Sequence, residues 1–108
     1  MQKMITKAIE RKAPRLYATD GQGKEAVAVA HYFSPLTGWD WYMTEYDPET
    51  REAFGYVKSP YLSQFGPGRD GEFGYFNLDE FDQINRKHGF EIIEREIYWT
   101  PCKLAEIA

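Results

Sequence analysis

A chain of 108 residues is one domain on length, and its single cysteine excludes an intramolecular disulfide and Cys-rich zinc spacing. Residues 1–25 carry six Lys/Arg against three Asp/Glu, whereas residues 26–108 carry seven against fourteen; a body of net −7 disfavours nucleic acid, whose binding needs a basic face. Aromatic content of 17% points to a core of large rings, and no apolar run is long enough for a signal peptide or membrane span, so one soluble cytoplasmic domain over residues 1–108 is expected.

Residues 6–12 are predicted as a short helix, with Thr6 as its cap and Pro14 stopping it soon after. Leu16–Thr19 is expected to be extended, and Asp20–Gly23 to turn. The first strong strand spans Ala26–Phe33, with Val27, Val29, His31 and Phe33 on one face and alanines on the other. After a turn at Pro35–Gly38, a second strand runs from Trp39 to Tyr46. Strict alternation would place Trp39, Trp41, Met43 and Glu45 on one side, and Asp40, Tyr42, Thr44 and Tyr46 on the other.

Asp47-Pro48-Glu49-Thr50 has the residues of a type I turn and leads into a third strand, Glu52–Lys58. Residues 59–71 read as a long loop rich in Gly and Pro, followed by a fourth strand at Glu72–Phe76. A second helix then starts at the Asn77 cap, with Glu80 completing a capping-box pattern and Gly89 placed to end it. Its apolar stripe is Leu78, Phe81 and Ile84. The last strand is Phe90–Trp99, closed by Pro101. The order α-β-β-β-β-α-β predicts an α+β fold: a mostly antiparallel sheet of about five strands, with two short helices on one face.

Two sets of residues stand out as candidate binding sites. In the first, Trp39, Trp41 and Glu45 share a strand face beside Tyr42 and could line the pocket of a small-ligand or nucleotide binding protein or of a small enzyme. A Glu45 buried there must pair with a cation such as Arg95 or Lys58, or be protonated. In the second, the loop 59–71 carries Tyr61, Leu62, Phe65 and Arg69, the residue types that anchor protein interfaces.

No catalytic residue, metal site or cofactor is expected. Gly21-Gln22-Gly23-Lys24 lacks the spacing of a phosphate loop. His31 and His88 have no neighbours in sequence that would build a triad or a zinc site. Cys102 has no basic setting beyond Lys103. The aromatic strands bring only Arg51 and Lys58, so protein recognition fits them better than base stacking. A basic N-terminal segment of Lys7, Arg11, Lys12 and Arg15 would be the only route to nucleic acid, and it is disfavoured by the acidic remainder.

The blocks Trp41-Tyr42-Met43-Thr44-Glu45-Tyr46-Asp47 and Gly74-Tyr75-Phe76-Asn77-Leu78-Asp79-Glu80, with Leu16-Tyr17-Ala18-Thr19 and Ile93-Glu94-Arg95-Glu96, run in order along nearly the whole chain. In these the sequence resembles a domain-of-unknown-function family of short bacterial and phage proteins, often encoded on plasmids and integrative elements. That resemblance implies a mobile-element accessory protein with no assigned reaction. The expectation is a non-enzymatic protein that binds a host macromolecule, conceivably a defence-system component, as a monomer or a weak homodimer joined through a sheet edge.

Overall fold

The computed structural model describes residues 2–60 and 71–107. The Thr6 hydroxyl accepts the Ile9 N–H at 3.2 Å, so helix α1 (Lys7–Lys12) begins at the expected cap. Pro14 follows it, and Leu16–Gly21 then forms consecutive turns instead of the expected extended segment. The turns are closed by Ala18 N–H to Arg15 O and Asp20 N–H to Tyr17 O, with Tyr17 in the left-handed region at φ 74°.

The expected strand at residues 26–33 divides at Val29. Strand β1 (Val27–Ala28) pairs with β7 (Cys102–Lys103) in a two-stranded sheet. Strand β2 (Ala30–Phe33) enters the main sheet beside β3 (Asp40–Asp47). At the break Val29 and Ala30 both enter the main core, so Val29 does not share a face with His31. From β2 the chain runs as a meander through β3, β4 (Glu52–Lys58) and β5 (Gly71–Asn77), each antiparallel to the last. Strand β6 (Glu94–Arg95) pairs with the other side of β2, completing the order β5-β4-β3-β2-β6. The expected ten-residue last strand is thus reduced to two residues of pairing.

Helix α2 (Leu78–His88) starts where the Asn77 side chain accepts the Asp79 N–H at 2.8 Å and ends at Gly89, φ 76°. Its buried stripe is Leu78, Phe81 and Asn85; Ile84 is left exposed. Asn85 earns its place by hydrogen bonding: its amide oxygen accepts the N–H groups of Ile92 and Ile93, and its Nδ2 donates to Ile93 O, each at 2.9 Å. A buried side-chain amide paired on both ends ties the backbone at residues 92–93 to α2.

The inner face of the sheet holds the main core, where Tyr32, Trp41, Met43, Tyr46, Ala53 and Phe76 meet Leu78 and Phe81 of α2. Met4, Ile9 and Ala13 bring the N-terminal segment and α1 onto the same face. Among the described residues, two α-helices against one face of an antiparallel sheet make this an α+β fold, as the element order predicted. A smaller cluster of Ala28, Tyr42, Tyr56 and Leu104, with Trp99 and Ile107 packed on it, lies on the outer face.

One irregularity sets the phase of the whole. The ladder between β3 and β4 shifts between Met43 and Glu45, a β-bulge at Thr44. Trp41 and Met43 face inward before it and Tyr46 faces inward after it, so odd residues exchange with even ones. Opposite the bulge Gly55 lies so close to β3 that a Cβ built there would fall 1.8 Å from Tyr42 O. Gly55→Ala should therefore destabilise the protein by at least about 2 kcal/mol, measured as a lower urea midpoint.

Burial also holds two inner-face phenols in their neutral form. It raises Tyr32 well above the ordinary value of 10 and raises Tyr46 in the same direction. A raised phenol in the folded state means that unfolded chains release protons first as the pH climbs. Stability should stay level up to pH of about 10 and fall above it. Tyr32→Phe should shrink that alkaline loss, while losing about 1 kcal/mol at neutral pH because Tyr32 donates to Met4 O at 2.6 Å.

Candidate functional site

The phase change at Thr44 separates the residues expected to share a pocket. Trp41 lies on the inner side against Phe81, ring centroids 4.8 Å apart, and Trp39 leans on Trp41 at 5.8 Å. Tyr42 and Glu45 belong to the outer side, so the expected common face of Trp39, Trp41 and Glu45 is not formed. Tyr61, Leu62, Phe65 and Arg69 lie outside the described residues.

Glu45, only 1% exposed, pairs with neither Arg95 nor Lys58. Its carboxylate accepts the Tyr17 N–H at 2.8 Å and the Thr19 N–H at 2.7 Å, and the Thr19 hydroxyl also donates to it. Left-handed Tyr17 turns two backbone donors toward one carboxylate, which satisfies a buried charge without a cation. The turn at residues 16–21 is thereby fastened over the outer face.

His31, which the sequence left without neighbours, meets two carboxylates in the fold. Its Nδ1 lies 2.6 Å from Glu96 Oε1 and its Nε2 lies 2.7 Å from Asp40 Oδ1. The ring is thus held between two carboxylates, one at each nitrogen. The ring stacks on Tyr42 at 4.5 Å and 8°, and contacts Phe33 and Trp99. The carboxylates sit on opposite edges of the ring, and no group of His, Cys, Asp and Glu among the described residues converges to hold a metal. Cys102 is half-buried and its thiol is pushed up by burial, away from the reactive thiolate.

Asp40 was within reach of sequence reasoning. The β2–β3 register pairs Phe33 with Asp40 and His31 with Tyr42, which sets Asp40 diagonal to His31 on the outer face. Glu96 was not, because it arrives from 65 residues away.

Across the outer face, direct cross-strand partners line up as His31, Tyr42, Tyr56 and Phe73, one from each of four strands. A second row is Glu45, Phe54 and Tyr75. Trp99, whose indole N–H donates to Ala28 O at 2.9 Å, covers the His31–Tyr42 end together with Leu104. Lys24 sits over the Tyr56 ring, 5.0 Å from its centroid.

The β5 end is uncovered among the described residues. Phe73 is 40% exposed, Tyr75 51% and Tyr17 65%, with Phe54 seated between Phe73 (6.0 Å) and Tyr75 (4.9 Å). Desolvation, then the Tyr17 phenol beside it, raises the Tyr75 phenol above its ordinary value. Tyr75 therefore remains a neutral hydrogen-bonding group at physiological pH.

Fold and site together are those of a small α+β sheet domain with an aromatic outer face, partly roofed and partly open. The chain belongs to the family described as "Protein of unknown function (DUF2958)", whose family model matches residues 1–106. The resemblance carried by the two sequence blocks is thus borne out at the level of the family. No match was found among curated proteins or among solved structures. No helix of the described residues is long and apolar enough to cross a membrane.

Replacing the Glu45 carboxylate by an amide should unfasten the 16–21 turn. Glu45→Gln points an N–H₂ at donors that need an acceptor, so a loss of about 2 kcal/mol is expected in chemical denaturation. Hydrogen exchange at the Tyr17 and Thr19 amides should accelerate well beyond that of the β3–β4 ladder. Unchanged exchange there would show that the carboxylate does not hold the turn.

Proposed function

We propose that this chain is a non-enzymatic binding protein that docks on a host protein through the open end of its outer sheet face. The observation that supports this reading is the cluster of three exposed rings in which Phe73 and Tyr75 pack on Phe54 and Tyr17 lies beside Tyr75. Large rings on a strand lose little freedom on contact, and Tyr adds a hydroxyl for hydrogen bonding, so such a patch gains affinity at low entropic cost. An exposed cluster of this kind exceeds the scattered apolar side chains of an ordinary surface. The −7 body beyond residue 25 favours a partner with a basic contact surface.

The cytoplasm, a mobile-element origin and a component of a host defence system as the target belong to the same proposal. The mobile-element origin and the defence-system target rest on the sequence resemblance. Monomeric action, or a weak homodimer, is part of it as well.

Affinity capture from host lysate with Phe73→Ser/Tyr75→Ser as control tests the docking surface. Both residues are exposed, so the double variant should keep its melting temperature within a few degrees while losing a stoichiometric partner, a drop of about a hundredfold in affinity. A partner retained by this variant would refute the β5 surface. The companion pair Tyr61→Ser/Phe65→Ser puts the loop expectation to the same assay.

A further inference from the structure

The five-stranded sheet has two edges, and among the described residues the chain closes only one of them. Edge strand β6 is two charged residues long, and the Gln2 side chain caps it, accepting the Arg95 N–H at 2.7 Å and donating to Arg95 O at 2.8 Å. At the opposite edge β5 runs for seven residues with no shift in its register to β4. It holds no proline and no lysine, and Glu72 is its one charge. Among the described residues no segment pairs with its outer side. Long regular edges usually carry such protection, because their unpaired N–H and C=O groups invite another strand.

The direction of those groups follows from bonds within the sheet. The Leu78 N–H donates to Arg51 O at 3.0 Å, one step beyond the Asn77–Glu52 pair, which turns the even residues of β5 toward β4. The Thr44 hydroxyl donates to Phe54 O at 3.1 Å, so Phe54 faces β3 and its neighbour Gly55 faces Gly74 of β5, in agreement. Glu72, Gly74 and Phe76 therefore direct their backbone groups to β4. Gly71, Phe73, Tyr75 and Asn77 present theirs to the open side.

Gly74, the middle residue of β5, has no explanation inside the chain. Its φ is not positive, and a Cβ built there would meet nothing within 4 Å. Glycine weakens a strand interior, and where it makes no bulge it marks the close approach of another backbone or a ligand.

We infer that β5 pairs antiparallel with β5 of a second copy of this chain, about a two-fold axis at Gly74. Only odd residues offer free groups, so odd must oppose odd. Centring on Gly74 sets Phe73 against Tyr75 of the second copy and Gly71 against Asn77, which uses every outward residue of both strands. Centring on Phe73 or Tyr75 leaves one of them unpaired. The two Gly74 residues then form a non-hydrogen-bonded pair, where Cα atoms approach to about 4.5 Å and side chains stand closest. Glycine keeps that point clear. Glu72 falls opposite Phe76 of the second copy, so no like charges meet, and aromatic rings face each other across the new ladder. The inference deepens the homodimer part of the proposed function, since the two aromatic rims join into one surface, but the pairing itself needs no host protein.

Sedimentation equilibrium of the purified full chain from about 10 μM to 1 mM tests it, because an interface this small predicts a weak dimer within that range. Gly74→Lys sets two ammonium groups against each other at the axis and should raise the dissociation constant by about tenfold or more. Ile84→Lys adds the same charge at an exposed position of α2 and should leave the dimer unchanged. Hydrogen exchange of the unaltered chain gives a second readout, independent of how any variant folds. The Phe73 and Tyr75 amides should slow as concentration rises, whereas Gly74 and Phe76 should be protected throughout. A monomer across the whole range would overturn the pairing and leave host docking to its own capture assay. So would a dimer that withstands Gly74→Lys, one that Ile84→Lys weakens equally, or one that leaves exchange at Phe73 and Tyr75 unchanged.

Discussion

One extra residue in β3 governs the arrangement of everything around it. The bulge at Thr44 lets Trp41, Met43 and Tyr46 all face the helices, and so fills the inner core with three large side chains where strict alternation would allow Tyr46 to point away. The same shift sends Glu45 outward to capture the turn at Tyr17–Thr19, and it brings the backbones of β3 and β4 close enough to demand glycine at position 55. Core, surface turn and strand contact are three results of a single change of phase.

The two sheet faces solve different problems. Inward, the helices bury apolar rings in a conventional core. Outward, rings stand in a continuous cross-strand row, and the chain covers only part of them with its own later segment, tied by Trp99 to Ala28 and by the β1–β7 pair. Polar groups on that face are met by partners from other segments: backbone donors for Glu45, two carboxylates for His31. What remains open at β5 among the described residues is a set of aromatic rings, Phe73 and Tyr75 with Tyr17 beside them.

Much of the architecture could be read from residues alone, because local rules set it. Thr6, Asp47, Asn77 and Gly89 carry caps and turns whose chemistry is confined to a few neighbours, and the strand Glu52–Lys58 agrees to the residue. What alternation could not supply was the bulge, since an inserted residue leaves the pattern of residue types intact and only the ladder to β4 reveals the slip. The break at Val29 was hidden for the same reason: a run of Ala and Val fits either sheet, and the distant β7 decides. Asn85 and the His31 group depend on partners that fold over from other segments, so the first looked like helix surface and the second like an isolated histidine. The four loop residues aside, the expected pocket failed as a geometric unit while its members kept important places: Trp41 in the core, Glu45 as a fastening point.

The path of the chain also dictates an order of assembly. Strands β2 to β5 are each joined to their sequence neighbour, so their pairings close shorter loops than those of β6, the Gln2–Arg95 contacts and the β1–β7 pair, which join segments tens of residues apart. Loop-closure entropy favours the meander as the early structure, with both chain ends docking onto it afterwards. Because Gln2 lies against Arg95, the N-terminal segment and β6 brace each other, so a change that frees one removes the support of the other.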